Sequence, residues 1–138
     1  MASLLDTDVL SQRVKALPDN RVVGWLSRIA QEETFLSVIT LQEVRQGIER
    51  MPEGRKRSRL QSWLEEEVLA SYADRILAID AKVADVCGRI LGSREVKAFH
   101  HEVGDAYIAA TALVHGLKVA TLNRKHFERL GVELVEFT

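Results

Sequence analysis

Leu4-Leu5-Asp6-Thr7-Asp8-Val9-Leu10-Ser11 places two acids between two apolar pairs at the head of the chain. Leu4-Leu5 closes the short apolar run Ala2–Leu5, which reads as a strand, and Asp6 follows it at once. A helix is expected to begin near Asp8, with Asp6 able to cap it. The same alternation recurs downstream. Phe35–Val38, Ile76–Ile79 and Lys118–Thr121 are further strand candidates, and Glu133–Glu136 is a fifth. Between them the apolar residues repeat at helical spacing: Val22, Val23, Leu26 and Ile29 after Pro18-Asp19-Asn20, then Leu41, Val44, Ile48 and Met51 up to Pro52. Leu60, Trp63, Leu64 and Val68 make another such face, Val83, Val86, Ile90 and Leu91 follow behind Asp80, and Ala106 to Val114 runs up to Gly116. Short strands alternating with helices imply an α/β fold: a central parallel sheet of about four or five strands covered by helices on both faces, three layers in all. Ligands of such sheets bind beyond the carboxyl ends of the strands.

That rule gives weight to where the acids fall. Asp6 follows the first strand, Glu43 is placed at the opening of the helix after Phe35–Val38, and Asp105 starts the Ala-rich helix. Asn123 follows the fourth strand. Each has a plain structural reading: Asp6 and Asp105 as helix caps, Glu43 as an ordinary helical glutamate. Their joint placement points further. At ~5 Å and an effective dielectric near 20, each pair of carboxylates repels by about 3 kcal/mol, so a cluster calls for a cation among them. Mg²⁺ fits, being hard, oxygen-seeking and content with one or two carboxylates plus a phosphate. Mg²⁺ or Mn²⁺ there would activate water for attack on phosphorus.

Composition sets the frame. The 138 residues suit one domain spanning 1–138, and 46% hydrophobic with 28% charged residues is ordinary globular usage. The net charge of −1 excludes a protein that grips nucleic acid by bulk charge. The lone cysteine, Cys87, has no internal disulfide partner and reads as a core thiol in a reducing compartment. Met1–Leu10 lacks a basic signal-peptide start, and no apolar run approaches the ~18 residues of a membrane helix, so a cytoplasmic location without membrane contact is expected.

The motifs also carry a resemblance. Leu4–Ser11 resembles the opening LLDTNVLS motif of VapC/FitB-like PIN domains. Ser37-Val38-Ile39-Thr40-Leu41-Gln42-Glu43-Val44-Arg45-Gln46-Gly47-Ile48 is similar to the second motif, whose Glu is a metal ligand. Asp105–Ala112 with His115-Gly116-Leu117 looks like the third, and Ala120-Thr121-Leu122-Asn123-Arg124-Lys125-His126-Phe127 corresponds to the fourth. The likeness runs from near residue 3 to near residue 137. It implies a Mg²⁺- or Mn²⁺-dependent ribonuclease, the toxin of a type II toxin–antitoxin module acting on RNAs such as tRNA. A homodimer is implied too, held inactive by a cognate antitoxin, with DNA met only through that antitoxin. Asp6, Glu43 and Asp105 become the expected catalytic and metal-binding residues, Glu43 directly or through water.

Two departures stand out. Asp8 replaces the usual Asn, adding a carboxylate, and Asn123 and His126 stand where the fourth motif customarily has an acid. One firmly held metal is therefore expected, with a weak second position; His126 suits Mn²⁺ better than Mg²⁺. A different class of function follows from the same departure: a catalytically weak PIN-fold protein acting mainly in a DNA-bound repressor complex with its antitoxin. Asp6-Thr7-Asp8 also resembles the start of haloacid dehalogenase-type phosphatases, which usually carry Thr or Val where this chain has Leu10. Among accessory candidates, Thr121 orients water or a carboxylate, or is a plain strand residue. Arg45 positions phosphate or an antitoxin carboxylate, or makes a structural ion pair. Arg50, Arg55, Lys56, Arg57 and Arg59 form either a solvated helical turn or a landing place for phosphate or an acidic segment. His100-His101 are adjacent and point apart in any regular element, which argues against a zinc site. Trp25 and Trp63 are expected in the core or an interface.

Overall fold

A computed structural model describes residues 2–93 and 103–138. Strands β1 (Ser3–Leu5), β2 (Thr34–Ser37), β3 (Ile76–Leu77) and β4 (Lys118–Ala120) pair in parallel in the order β3-β2-β1-β4. Leu4 opposes Phe35 on one side and Val119 on the other. Because neighbouring side chains on a strand point to opposite faces, Leu4 and Leu5 enter different cores. Leu5 packs with Val9, Leu36, Val44, Leu64 and Tyr72. Leu4 packs with Ile108, Val119 and Phe127. A sheet buried on both faces explains why β1 reads as an unbroken apolar run rather than an alternating one. The result is the expected three-layer α/β/α fold.

The helices start where side chains can accept the free N–H groups of a first turn. Asp6 caps α1 (Thr7–Leu10), which passes into a 3₁₀ turn (Ser11–Val14). Asp19 caps α2 (Asn20–Arg28), accepting from Arg21 N and Val22 N. Ser37 caps α3 (Val38–Arg50) through Ile39 N at 3.0 Å. After α4 (Arg55–Ser62) the helix widens into a π-helical segment (Trp63–Val68) and ends in α5 (Leu69–Ser71), burying Trp63, Leu64 and Val68 together. Asp80 caps α6 (Ala81–Gly92) through Val83 N at 2.9 Å. Helix α7 (Val103–His115) stops at Gly116, whose φ of 66° is left-handed, and α8 (Arg124–Glu128) follows β4. Cys87 is buried between α6 and α7 with Val83, Ala106 and Ala110.

The caps also correct the predicted boundaries. Val38 and Ile79 were expected in strands. Ser37 instead draws Val38 into α3, and β3 ends at Leu77, three residues before the Asp80 cap. The fifth strand reduces to one bridge, Val119 with Leu134. Val119 N donates to Glu133 O and Val135 N to Val119 O, both at 2.9 Å, and pairing extends no further along the short β4. Trp63 lies in the core, and Trp25 meets Phe137 edge-on at 5.4 Å. His100 and His101 lie outside the described residues. No helix among the described residues is long and apolar enough to cross a membrane.

Candidate active site

The strand order decides where a site can form. From β1 the chain moves to β2 and β3 on one side, then returns to place β4 on the other. The carboxyl end of β1 is therefore a topological switch point, where the connections part and leave a crevice. Asp6 follows β1 there, α3 leaves β2 beside it, and Thr121 follows β4. A hollow of about 420 Å³ opens at this point, lined by Asp6, Asp8, Glu43, Asp105, Asn123 and His126.

Asp6 is the deepest of these groups, with 6% exposure. Its backbone N–H donates to Ala120 O at 2.9 Å, extending the pairing of β1 with β4 by one residue. Its Oδ1 accepts from Thr7 N and its Oδ2 from the Thr121 hydroxyl, each at 2.8 Å. Burial, and then the nearby Asp8, push its carboxyl up to about 7 against the pull of those hydrogen bonds, with Asp105 adding a smaller rise. Asp6 thus combines both readings of the sequence: it caps a helix and it lines the site. Asp8 accepts from Leu122 N at 3.2 and 3.3 Å, and burial raises its pKa as well, with Asp105 contributing.

Glu43 and Asp105 arrive from two helices. The sequence put Glu43 at a helix opening, but α3 begins at Val38, so Glu43 projects from its second turn. Its Oε1 accepts from the Thr7 hydroxyl at 2.6 Å, a contact between residues 36 apart in sequence. Sequence reasoning assigned Thr7 nothing; its place between two acids was the available signal. Asp105 is buried in the first turn of α7 and is not its N-cap, because the helix has already begun at Val103. His126 Nδ1 stands 3.3 Å from Asp105 Oδ2 and 3.3 Å from Asn123 Nδ2. With a proton on Nδ1 the ring donates to Asp105; without one it accepts from Asn123. The half-exposed ring of His126 thus lies against the site's edge. Thr121 orients Asp6 and accepts from Asn123 N at 2.9 Å, so its orienting reading holds geometrically.

Arg45 is a correction. It does not line the hollow; it pairs with Glu65 at 3.4 Å and Glu49 at 4.0 Å, which is the structural ion pair. Lys15, unremarked in the sequence, lines the hollow and acts electrostatically on Asp8 to lower its pKa. Among the described residues, no three carboxylate, imidazole or thiolate groups are close enough to hold an ion between them directly. The donor chemistry is nonetheless that of a hard cation: four carboxylates face one hollow, and the deepest is driven toward its neutral form by burial and like charge.

The PIN-domain profile matches residues 3–133, nearly the whole chain and every wall of this hollow. The chain belongs to the PIN-domain family. This PIN domain is 36% identical over 132 residues to VapC ribonuclease Y4jK of Sinorhizobium fredii, covering 96% of this chain and 94% of that one. It is 38% identical over 124 residues to Toxin FitB of Neisseria gonorrhoeae, covering 90% and 89%. The crystal structure of FitAcB from Neisseria gonorrhoeae superimposes with a TM-score of 0.90 at 36% identity, covering 98% of this PIN domain and 97% of that chain.

Proposed function

We propose that this PIN domain is a metal-dependent endoribonuclease, the toxin of a type II toxin–antitoxin pair. The observation that carries the reading is the convergence of Asp6, Asp8, Glu43 and Asp105 on one hollow at the switch point of a parallel sheet. Its likeness to a ribonuclease and to a toxin supports it. The ion would be Mg²⁺ or Mn²⁺, taken directly by Asp6 and Asp105, with Glu43 reached directly or through water. Such an ion keeps several waters, which suits carboxylates that line a hollow without closing into a direct three-ligand cage. When bound it supplies a deprotonated water and neutralises charge on the phosphodiester.

The chain's own residues hold the acids in place. Thr121 and Thr7 N fix both oxygens of Asp6, Leu122 N orients Asp8, and the Thr7 hydroxyl holds Glu43. These contacts keep the carboxylates from turning away from one another, which their mutual repulsion favours. His126 against Asp105 can give up or take a proton at Nδ1 beside the site. The reading includes a homodimer in the cytoplasm, a cognate antitoxin as inhibitor, and DNA met only through that antitoxin.

The neutral Asn123 favours a second reading, a catalytically weak PIN-fold protein working mainly in a DNA-bound repressor complex with its antitoxin. One assay separates the two. Purified protein incubated with tRNA or total RNA should cleave it in Mg²⁺ or Mn²⁺, not in chelator, and not as Asp6→Asn. A folded wild type inert toward RNA in both metals would overturn the nuclease reading and leave the second.

A further inference from the structure

Beside the acidic hollow lies a second cavity of about 390 Å³, and the two share Thr7, Ser11, Lys15 and Glu43. Its apolar floor comes from Val44, Ile48, Met51, Leu60 and Trp63, and its rim carries Lys15, Lys56 and Arg59, all exposed. Lys56 and Arg59 form no ion pair among the described residues, whereas Arg57 on the same helix is bound to Glu49 at 2.9 Å. In a chain of net charge −1, two such cations beside a single apolar cavity leave a local positive field.

Gly47 supplies the second, independent observation. It lies in the interior of α3, where glycine is destabilising relative to alanine. Nothing in the fold requires it there: a Cβ at this position would meet no atom within 4 Å, and Gly47 is exposed. The same residue lines the cavity. A side chain would project into space that the protein itself leaves empty, so the bare backbone suits close approach of a bound molecule.

Resting on the ribonuclease reading, we propose that this cavity is a substrate subsite. It takes a nucleotide of single-stranded RNA next to the scissile bond, with its base over Gly47 and the apolar floor and its phosphates against Lys56 and Arg59. The strand reaches it from the acidic hollow past Lys15 and Glu43, the residues the two spaces share. Cations tracking the backbone and a sequence-tolerant surface for bases are how single strands are commonly held. The pairing also answers an electrostatic difficulty. A hollow lined by four acids repels RNA phosphates, and Lys56 and Arg59 on its flank, outside the hollow itself, supply attraction.

Two variants test the subsite. Gly47→Leu fills the cavity on a surface with room for it and with better helix propensity. Lys56→Ala/Arg59→Ala removes the rim charge at exposed helical positions. Binding of a fluorescein-labelled single-stranded RNA of about 12 nucleotides is followed by anisotropy in chelator, where no metal-dependent cleavage occurs. Thermal melts establish that each variant is folded. Gly47→Leu should weaken binding ~10-fold or more, and the double variant should weaken it similarly while making the log–log salt slope shallower by about 1.4, two phosphates' worth. In Mn²⁺ both should raise KM with kcat little changed. Folded variants that bind the RNA as wild type does, while wild type cleaves it, would overturn the subsite and leave the nuclease reading standing. Wild type that neither binds nor cleaves RNA would overturn both. A labelled Glu-rich peptide is the remaining arm: if Gly47→Leu weakens the peptide and not the RNA, the cavity belongs to an acidic protein segment and the proposal fails.

Discussion

The hollow has two unlike walls. On the Asp6 side, every carboxylate is tied down: Asp6 by Thr7 N and Thr121, Asp8 by Leu122 N, Glu43 by the Thr7 hydroxyl. On the Asn123 side, a neutral amide and a half-exposed imidazole meet at 3.3 Å, and the same ring nitrogen stands 3.3 Å from Asp105. The first wall is pre-organised, with Asp6 buried and Asp8 and Glu43 half-buried. The second sets one buried carboxylate, Asp105, against the half-exposed ring of His126. The difference teaches that negative charge is concentrated where backbone and hydroxyl donors can hold it, and is thinned where the chain turns outward into α8.

The strongest way to break this contrast is to remove the carboxylates of either wall. Asp6→Asn, Asp105→Asn or Glu43→Gln should each lower metal-dependent RNA cleavage by roughly three orders of magnitude, since ligands of one site act as a unit. Circular dichroism should show each variant folded. A variant that still cleaves at the wild-type rate removes that residue from the site.

Stability of the metal-free protein sharpens the same contrast. Asp6 has an ordinary value of 3.8 and is pushed up to about 7 in the fold, so between those limits the native state binds more protons than the unfolded chain. Its contribution to stability is therefore best below about pH 4 and is lost as the pH rises toward 7, by a few kcal/mol at most. Melting in chelator across pH 4–8 should show Asp6→Asn gaining on wild type as pH rises. Mn²⁺ should narrow that gap by stabilising wild type alone. A gap independent of pH, or equal metal shifts in both proteins, contradicts the assignment of strain to Asp6.

Thr121 bridges the walls, donating to Asp6 and accepting from Asn123 N. Thr121→Val should cost about 1–3 kcal/mol in denaturant unfolding, because buried partners lose their hydrogen bonds. It should also raise the Asp6 pKa further, moving the pH dependence upward, whereas Thr121→Ser should restore both. The smallest effect is expected from charging the second wall. Asn123→Asp should tighten metal binding by less than about tenfold and raise activity at low Mg²⁺. Calorimetric titration checks it; two equally tight sites in wild type, or no gain in the variant, would refute the weak second position.

Legibility followed physical range. Acids at strand ends and helix starts were readable because strand, turn and helix are local patterns, so Asp6, Glu43 and Asp105 were picked out together, and the resemblance added Asp8. Interactions between distant segments were not. Nothing local tells that the Thr7 hydroxyl meets Glu43, or that the ring of His126 reaches Asp105 rather than simply facing solvent. Arg45 shows how the sequence left two readings open, of which the fold displays the ion pair. Two places after Glu43 on a helix, it points away from the hollow, and Glu65 on a later segment claims it.

By itself the sequence determined the α/β class, the caps at Asp19 and Asp80, and the stop at Gly116, because apolar period and capping chemistry act within a turn or two. It also determined which acids could serve. Only the tertiary structure decided that β1 lies between β2 and β4, which brings the segments after those three strands and the start of α7 to one crevice. Only burial in that crevice lifts Asp6 to about 7, and only the approach of α3 to α4 opens the apolar cavity under Gly47. Desolvation and repulsion depend on distances between segments far apart in the chain, and those distances exist only once the sheet has closed.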